Sequence, residues 1–270
     1  VFIRYFSGLQ IKIFARNINN FSNKMRSPET FWLKYLVNPL IRRGYCKIDH
    51  IINQCSDMEK DLLSVYPQLK GRTSVIFNPV NRLVERVGRG EVTHVKNDGL
   101  KYFLCVGRLE KQKAFHNAIN AFAKVAPLLT SFKLKIVGQG SLQQELKELV
   151  ENLGLQNRVD FEGFHRDIIP FFQGATATLL TSNYEGFPNV LVESITLGTP
   201  VISFDCPSGP SEIVQNGING YLIPHGDVDA FACALEKSIE TKWDSLVVKK
   251  TAEEFSMGNV GEQYASLLSK

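Results

Sequence analysis

Two carboxylates, Glu185 and Glu193, stand eight residues apart in the block from Ser182 to Gly198. On one continuous helix they would lie about 80° apart. Glu185, however, falls in a loop with Gly186, Phe187 and Pro188, whereas Glu193 falls on the helix that Pro188 begins. The pair can therefore reach different parts of one elongated ligand. The helix start near Asn189 and Val190 offers free N–H groups and the positive end of the helix dipole, a seat for phosphate. A second group, Gly107 to Lys113, follows an apolar run and carries the cations Arg108 and Lys113. Two cations facing a helix N-terminus describe a diphosphate clamp. A third, Gly138-Gln139-Gly140-Ser141, places two glycines between a strand and a helix and permits close backbone approach. It lacks the third glycine of the dinucleotide fingerprint. Taken singly, Glu193 reads as a solvated helix charge and Arg108 and Lys113 as loop cations. Their joint position at the C-terminal ends of strands is what marks them as a site.

Those strands come from short apolar runs alternating with helix-period segments, the signature of βαβ units and a parallel sheet. Strands are predicted at 102–106, 134–137, 159–161, 175–180, 200–204 and 221–223. Helices are predicted at roughly 114–126, 141–153, 188–197 and 227–240, with a short one starting near Gly209. Ser141 reads as a cap, Pro188 as a first-turn residue, and Gly154 and Gly198 as residues just past helix ends. The expected fold class is α/β, a Rossmann-like doubly wound parallel sheet, whose ligand crevice lies beyond the C-terminal strand ends. Ahead of it, residues 1–79 read as a separate partial domain with strands at 11–14 and 48–53. Residues 80–99 read as a linker rich in turn signals, among them Gly88, Gly90 and Asn97-Asp98-Gly99. Residues 100–240 form the ligand-binding domain and 241–270 a C-terminal helical segment.

Composition agrees with a folded domain: of 270 residues, 44% are hydrophobic and 21% charged, so a sizeable core is available. The net charge of +4 is too small an excess to point to nucleic acid. It is concentrated at the front, where the first 50 residues hold nine basic side chains against Glu29 and Asp49. No apolar run approaches the roughly 18 residues of a membrane span, and an integral membrane protein is not expected. The five cysteines are scattered without a C-x-x-C pair, which fits reduced thiols better than a disulfide framework or a zinc site. Cys105 reads as a small core residue. The chain opens on Val-Phe-Ile with no Met and no secretory pattern, and reads as though it begins in mid-domain.

Several of these groups together resemble a known family. Gly107-Arg108-Leu109 with Lys113, the run Glu185-Gly186-Phe187-Pro188-Asn189 through Glu193, Gly198-Thr199-Pro200-Val201, the run Asp205 to Pro210 with Glu212, and Asn219-Gly220 with Asp227 resemble the donor-binding half of retaining glycosyltransferases of family 4, which have the GT-B fold. Residues 1–79, with Ala15-Arg16-Asn17 and Asn78-Pro79-Val80, are similar to the latter part of the family's acceptor-side domain. The opening half of that domain is expected to be missing.

The resemblance implies roles residue by residue. Arg108 and Lys113 would hold the donor diphosphate with backbone N–H groups near Asn189 and Val190. Glu185, with the Gly186 and Phe187 backbone, would bind sugar hydroxyls, and Glu193 the ribose. Catalysis would rest on Glu185, Arg108 and Lys113, with no metal and no cofactor beyond the nucleotide-sugar substrate. The leaving diphosphate itself would assist acceptor deprotonation. The implied reaction moves a hexose or N-acetylhexosamine, expected from a UDP-sugar, to a lipid-linked or surface glycan in the cytoplasm, with a peripheral contact at the inner face of the membrane and no nucleic-acid partner. The competing reading is a truncated, noncatalytic nucleotide-sugar binding module; a GT-B sugar-nucleotide epimerase is disfavoured by the Glu-Gly-Phe-Pro-Asn run. One departure stands out: Ala114 follows Lys113 where the family usually has Gly.

Overall fold

The computed structural model describes residues 11–18, 44, 45, 47–92 and 99–269. Its contacts divide the chain into two units, Val1–Asn78 and Pro79–Lys270.

In the first unit β1 (Phe14–Asn17), β2 (His50–Asn53) and β3 (Thr73–Val75) form a parallel sheet in the order β1-β2-β3, with α1 (Ser56–Val65) between β2 and β3. The strand expected at 11–14 starts three residues later. The Asp49 carboxylate accepts the Ile13 N–H at 2.7 Å and takes it out of the ladder. The strand expected at 48–53 starts two residues late because Lys47 and Ile48 turn back onto the Gly44 and Tyr45 carbonyls. Ile51, Leu62, Tyr66 and Leu69 are buried together, and Tyr45 stacks on Tyr66 at 5.6 Å.

The second unit runs through α2 (Arg82–Gly88), β4 (Lys101–Val106), α3 (Phe115–Val125), β5 (Phe132–Val137), α4 (Gln143–Asn152), β6 (Val159–Gly163), α5 (Ile169–Gly174), β7 (Ala177–Leu180), α6 (Asn189–Thr196), β8 (Val201–Phe204), α7 (Pro210–Ile213), β9 (Gly220–Ile223), α8 (Val228–Glu240), α9 (Ser245–Lys250) and α10 (Met257–Leu268). Its six strands are all parallel, in the order β6-β5-β4-β7-β8-β9. Each of the six predicted strands is present, with ends moved by one or two residues. The central strands β4, β7 and β8 are buried almost throughout, as strands covered by helices on both faces must be, whereas β5 and β6 alternate apolar with charged residues, and Lys133 and Lys135 of β5 pair with Asp160 and Glu162 of β6. Phe103, Leu104 and Cys105 have no exposed surface, and burial pushes the Cys105 thiol far above its usual range. Phe115, Ala118, Ile119, Phe122 and Val125 recur at helical spacing along α3, and Phe231, Ala234 and Leu235 along α8, so both helices pack on the sheet. Phe103 stacks on Phe132 at 5.5 Å and Phe204 meets Phe231 edge-on at 4.9 Å.

Helix α2 lies inside the segment read as a linker. Asn81 caps it by accepting the Leu83 N–H at 2.9 Å, and Val84 and Val87 are buried. Gly88, read as turn punctuation, lies so close to α6 that a Cβ there would sit 2.4 Å from the Thr196 carbonyl oxygen. The Lys249 ammonium donates to the Gly88 carbonyl at 3.0 Å. Asn97 and Asp98, part of the same reading, lie outside the described residues. Ser141 does not cap α4: its N–H and hydroxyl both donate to the Glu110 carboxylate, and the helix starts one residue after Leu142 without a side-chain cap. Pro188 is the residue before α6 rather than its first member. Asp227 does cap α8, accepting the Ala230 N–H at 2.9 Å.

Candidate functional site

The strand order reverses between β4 and β7, and loops leaving the C-terminal ends of two such strands diverge to open a crevice. The loop after β4 carries Gly107 to Ala114 and the loop after β7 carries Thr181 to Pro188. The two are stitched together. The Asn183 N–H donates to the Gln112 carbonyl at 2.8 Å, the Asn183 side chain to the Lys111 carbonyl at 2.7 Å, and the Gln112 side chain to the Tyr184 carbonyl at 3.1 Å.

At the centre of this seam the Lys113 ammonium lies 2.7 Å from Oε1 of Glu185. The same oxygen accepts the Ser182 hydroxyl at 2.5 Å. Both partners of the ion pair are largely buried, with 18% of the Lys113 side chain and 6% of that of Glu185 exposed. Sequence reasoning assigned Lys113 to a diphosphate and Glu185 to sugar hydroxyls. The structure brings the two residues to each other.

Two further loops frame the pair. After β5, a Cβ on Gly138 would sit 1.8 Å from the Gly107 carbonyl oxygen, and one on Gly140 would sit 2.4 Å from that of Leu109. The close approach expected at these glycines is thus made to the neighbouring loop. After β8, the Pro207 carbonyl accepts the Glu185 N–H at 3.0 Å, and Gly209 (φ +103°) lets that loop press on Pro188. Ala114 occupies the left-handed region at φ +45°, so the conformation that suits glycine is kept although glycine is not. Its carbonyl accepts the Thr181 hydroxyl at 3.2 Å.

The remaining expected residues divide. Arg108 is exposed on its loop, and its charge, behind two hydrogen bonds from Ser141, helps hold the Glu110 carboxyl below its ordinary value. Phe187 commits its ring to the core, 5.8 Å from Phe255, and Gly186 beside it is half-buried. At the start of α6 the Asn189 N–H donates to Phe187 and the Leu191 N–H to Pro188, both at 2.9 Å. Val190, between them, is half-exposed. Glu193, one turn further on, is pushed up to about 7 by burial. Asn219 is structural: it has no exposed surface and bonds Gln215, Ile213 and Thr251.

Two residues were missed. Ser182 lies in the singled-out block, but nothing in its spacing reveals that the loop returns its hydroxyl to Glu185. Cys206 is buried beside the pair, its thiol pushed up to about 12 by burial and by the Glu185 charge. Among the described residues no helix is long and apolar enough to cross a membrane.

Residues 91–255 match the family described as Glycosyl transferases group 1. Among curated relatives, the lipopolysaccharide 1,6-galactosyltransferase of Salmonella typhimurium is 33% identical over 190 residues, covering 67% of this chain and 51% of its own length. A Campylobacter jejuni N-acetylgalactosaminyltransferase acting on a diphospho-undecaprenol-linked sugar is 26% identical over 238 residues, 86% of this chain and 64% of its own. The chain spans about half the length of the curated relatives it matches first. Among solved structures, the apo form of the lipopolysaccharide outer core galactosyltransferase WaaB superposes with a TM-score of 0.73 at 25% identity, over 98% of this chain and 70% of its own. Anabaena Alr3699/HepE, solved with UDP, superposes at 0.80 with 21% identity over 99% and 74%, a likeness of fold. The architecture is that of the GT-B glycosyltransferases.

Proposed function

The chain belongs to the group 1 glycosyl transferases, and from that premise we propose that it moves a hexose or N-acetylhexosamine from a UDP-sugar to a lipid-linked or surface polysaccharide acceptor, with retention of configuration, as a family 4 enzyme. The observation that carries this reading is the buried Lys113–Glu185 pair at the point where the strand order reverses. It supports the reading because a cation suited to donor phosphates and a carboxylate suited to sugar hydroxyls lie side by side. The relatives that act on lipopolysaccharide and on a lipid-diphosphate sugar support the acceptor class. The basic front of the chain suits an anionic surface at the cytoplasmic face of a membrane.

In this reading Arg108 and Lys113 hold the diphosphate with the α6 N-terminus. Glu185 takes a donor-sugar hydroxyl and Glu193 the ribose. The barrier falls because charge building on the leaving diphosphate meets cations already in place. The leaving phosphate receives the acceptor proton, so no side chain need act as the general base. Arg108→Ala is expected to weaken UDP binding about tenfold or more, the worth of a hydrogen bond to a charged group. Titration calorimetry measures this, and unchanged affinity would remove the clamp from the argument.

Glu193 makes the reading pH-dependent. Its carboxyl is raised from 4.5 to about 7 by burial, so the ionised form is the costly one in the free protein and stability falls as pH rises through that interval. Ribose hydroxyls donate to the ionised form. UDP affinity is therefore expected to drop as pH falls below 7, and Glu193→Gln to lose that dependence. The difference between the two titration series, rather than either alone, cancels the ionisation of UDP itself. Parallel series would leave Glu193 a structural charge.

A further inference from the structure

Glu185 carries an asymmetry that its assigned role does not require. Both of its side-chain partners bind one oxygen: Oε1 receives the Ser182 hydroxyl at 2.5 Å and the Lys113 ammonium at 2.7 Å. Oε2 has no partner among the described residues, yet it is not among the sealed, unpartnered polar atoms. Ser182 has no exposed surface and directly follows Thr181, whose hydroxyl is bonded to the Lys113 and Ala114 carbonyls across the seam. The serine is therefore held by the same seam that delivers Lys113.

We propose that Ser182 is a positioning residue for donor-sugar recognition: with Lys113 it saturates Oε1 of Glu185, so that Oε2 is the single oxygen offered to a donor-sugar hydroxyl. This rests on the reading of Glu185 as the sugar-hydroxyl acceptor. A free carboxylate rotates about its last torsion, which is broad, and offers either oxygen or both. Two charge-assisted bonds of this length on one oxygen remove that freedom. Lys113 alone would not, because its flexible stem must also serve the phosphate. Ser182 is short and wholly buried, and it holds the carboxylate when the ammonium is drawn toward the diphosphate. With one oxygen spent, Glu185 recognises one sugar hydroxyl rather than chelating a vicinal pair. The oriented acceptor is then already in place when the donor arrives, and the ordering cost of binding is reduced.

The experiment is calorimetric titration of the full chain with UDP, UDP-glucose, UDP-galactose and UDP-N-acetylglucosamine, in wild type and in Ser182→Ala. The hydroxyl's removal is expected to weaken binding of the preferred UDP-sugar about tenfold while UDP itself changes less than about twofold. A purely structural role would lower both together, and that result overturns the proposal. Ser182→Cys, close in shape but a poor donor, guards against misfolding of the alanine variant and is expected to lose the sugar increment in the same way. If either folded variant keeps the wild-type ratio of UDP-sugar to UDP affinity, the positioning role is wrong while the donor reading stands. If wild type binds none of the four compounds, the donor reading itself fails and takes this proposal with it.

Discussion

Lys113→Ala is expected to destabilise the second unit by about 3 kcal/mol, in addition to weakening donor binding. Removing one partner of a buried pair leaves the other as an uncompensated charge, at a cost of about 3 to 5 kcal/mol. Glu185 has only 6% of its side chain exposed, and Ser182 would remain as its sole side-chain partner among the described residues. For a unit of this size the loss corresponds to a fall of roughly 10 °C in melting temperature. The double variant Lys113→Ala/Glu185→Gln removes both charges and is expected to recover most of that fall without recovering UDP affinity. Thermal denaturation of the two variants beside wild type decides the matter. A Lys113→Ala protein that melts with wild type would mean that the pair contributes nothing to the fold.

Gly138→Ala is expected to have the next largest effect, again about 3 kcal/mol. Its φ of +140° is one that other residues adopt only under strain of roughly 1 to 3 kcal/mol, and its Cβ would collide with the Gly107 carbonyl oxygen at 1.8 Å. Overpacking adds about 1 to 3 kcal/mol. Because Gly107 precedes Arg108, the displacement is transmitted to the cation expected on the diphosphate, and UDP affinity should fall along with stability. Gly154→Ala is the control: it too has positive φ, at +68°, but a Cβ there meets nothing within 4 Å, so it should cost about 1 kcal/mol and leave UDP binding intact. Equal melting temperatures for the two variants would show that the loop contact is not tight in solution.

Much of the second unit was legible because its strands announce themselves as apolar runs, and the helices between them by period. The loops that carry Arg108, Lys113 and Glu185 were placed correctly at strand ends. Their partners were not legible. Lys113 and Glu185 are 72 residues apart in the chain, and no local pattern encodes which charge of one loop meets which of another. The same limit explains Ser141, whose local spacing matched a helix cap while its hydroxyl was drawn 31 residues away to Glu110. Gly138 and Gly140 were read for closeness, correctly, but a glycine does not say to whom it makes room. In 80–99 the density of turn residues outweighed the short apolar pair Val84 and Val87, too brief to register a helical period yet sufficient to bury α2.

The adjacency of β4 and β7 has a consequence for how the protein is made. Strands β4, β5 and β6 pair through successive crossovers, so their half of the sheet can assemble from segments close along the chain. β7 must then return past β5 and β6 to lie beside β4, closing a loop of some seventy residues at an entropic cost that grows with the logarithm of its length. Until it does so, the loop that bears Lys113 meets only the loop after β5, and Glu185 is not yet beside it. A ribosome that has released only the first half of this unit holds a strand edge with its cation unmatched, and the crevice comes into being in the same event that closes the sheet.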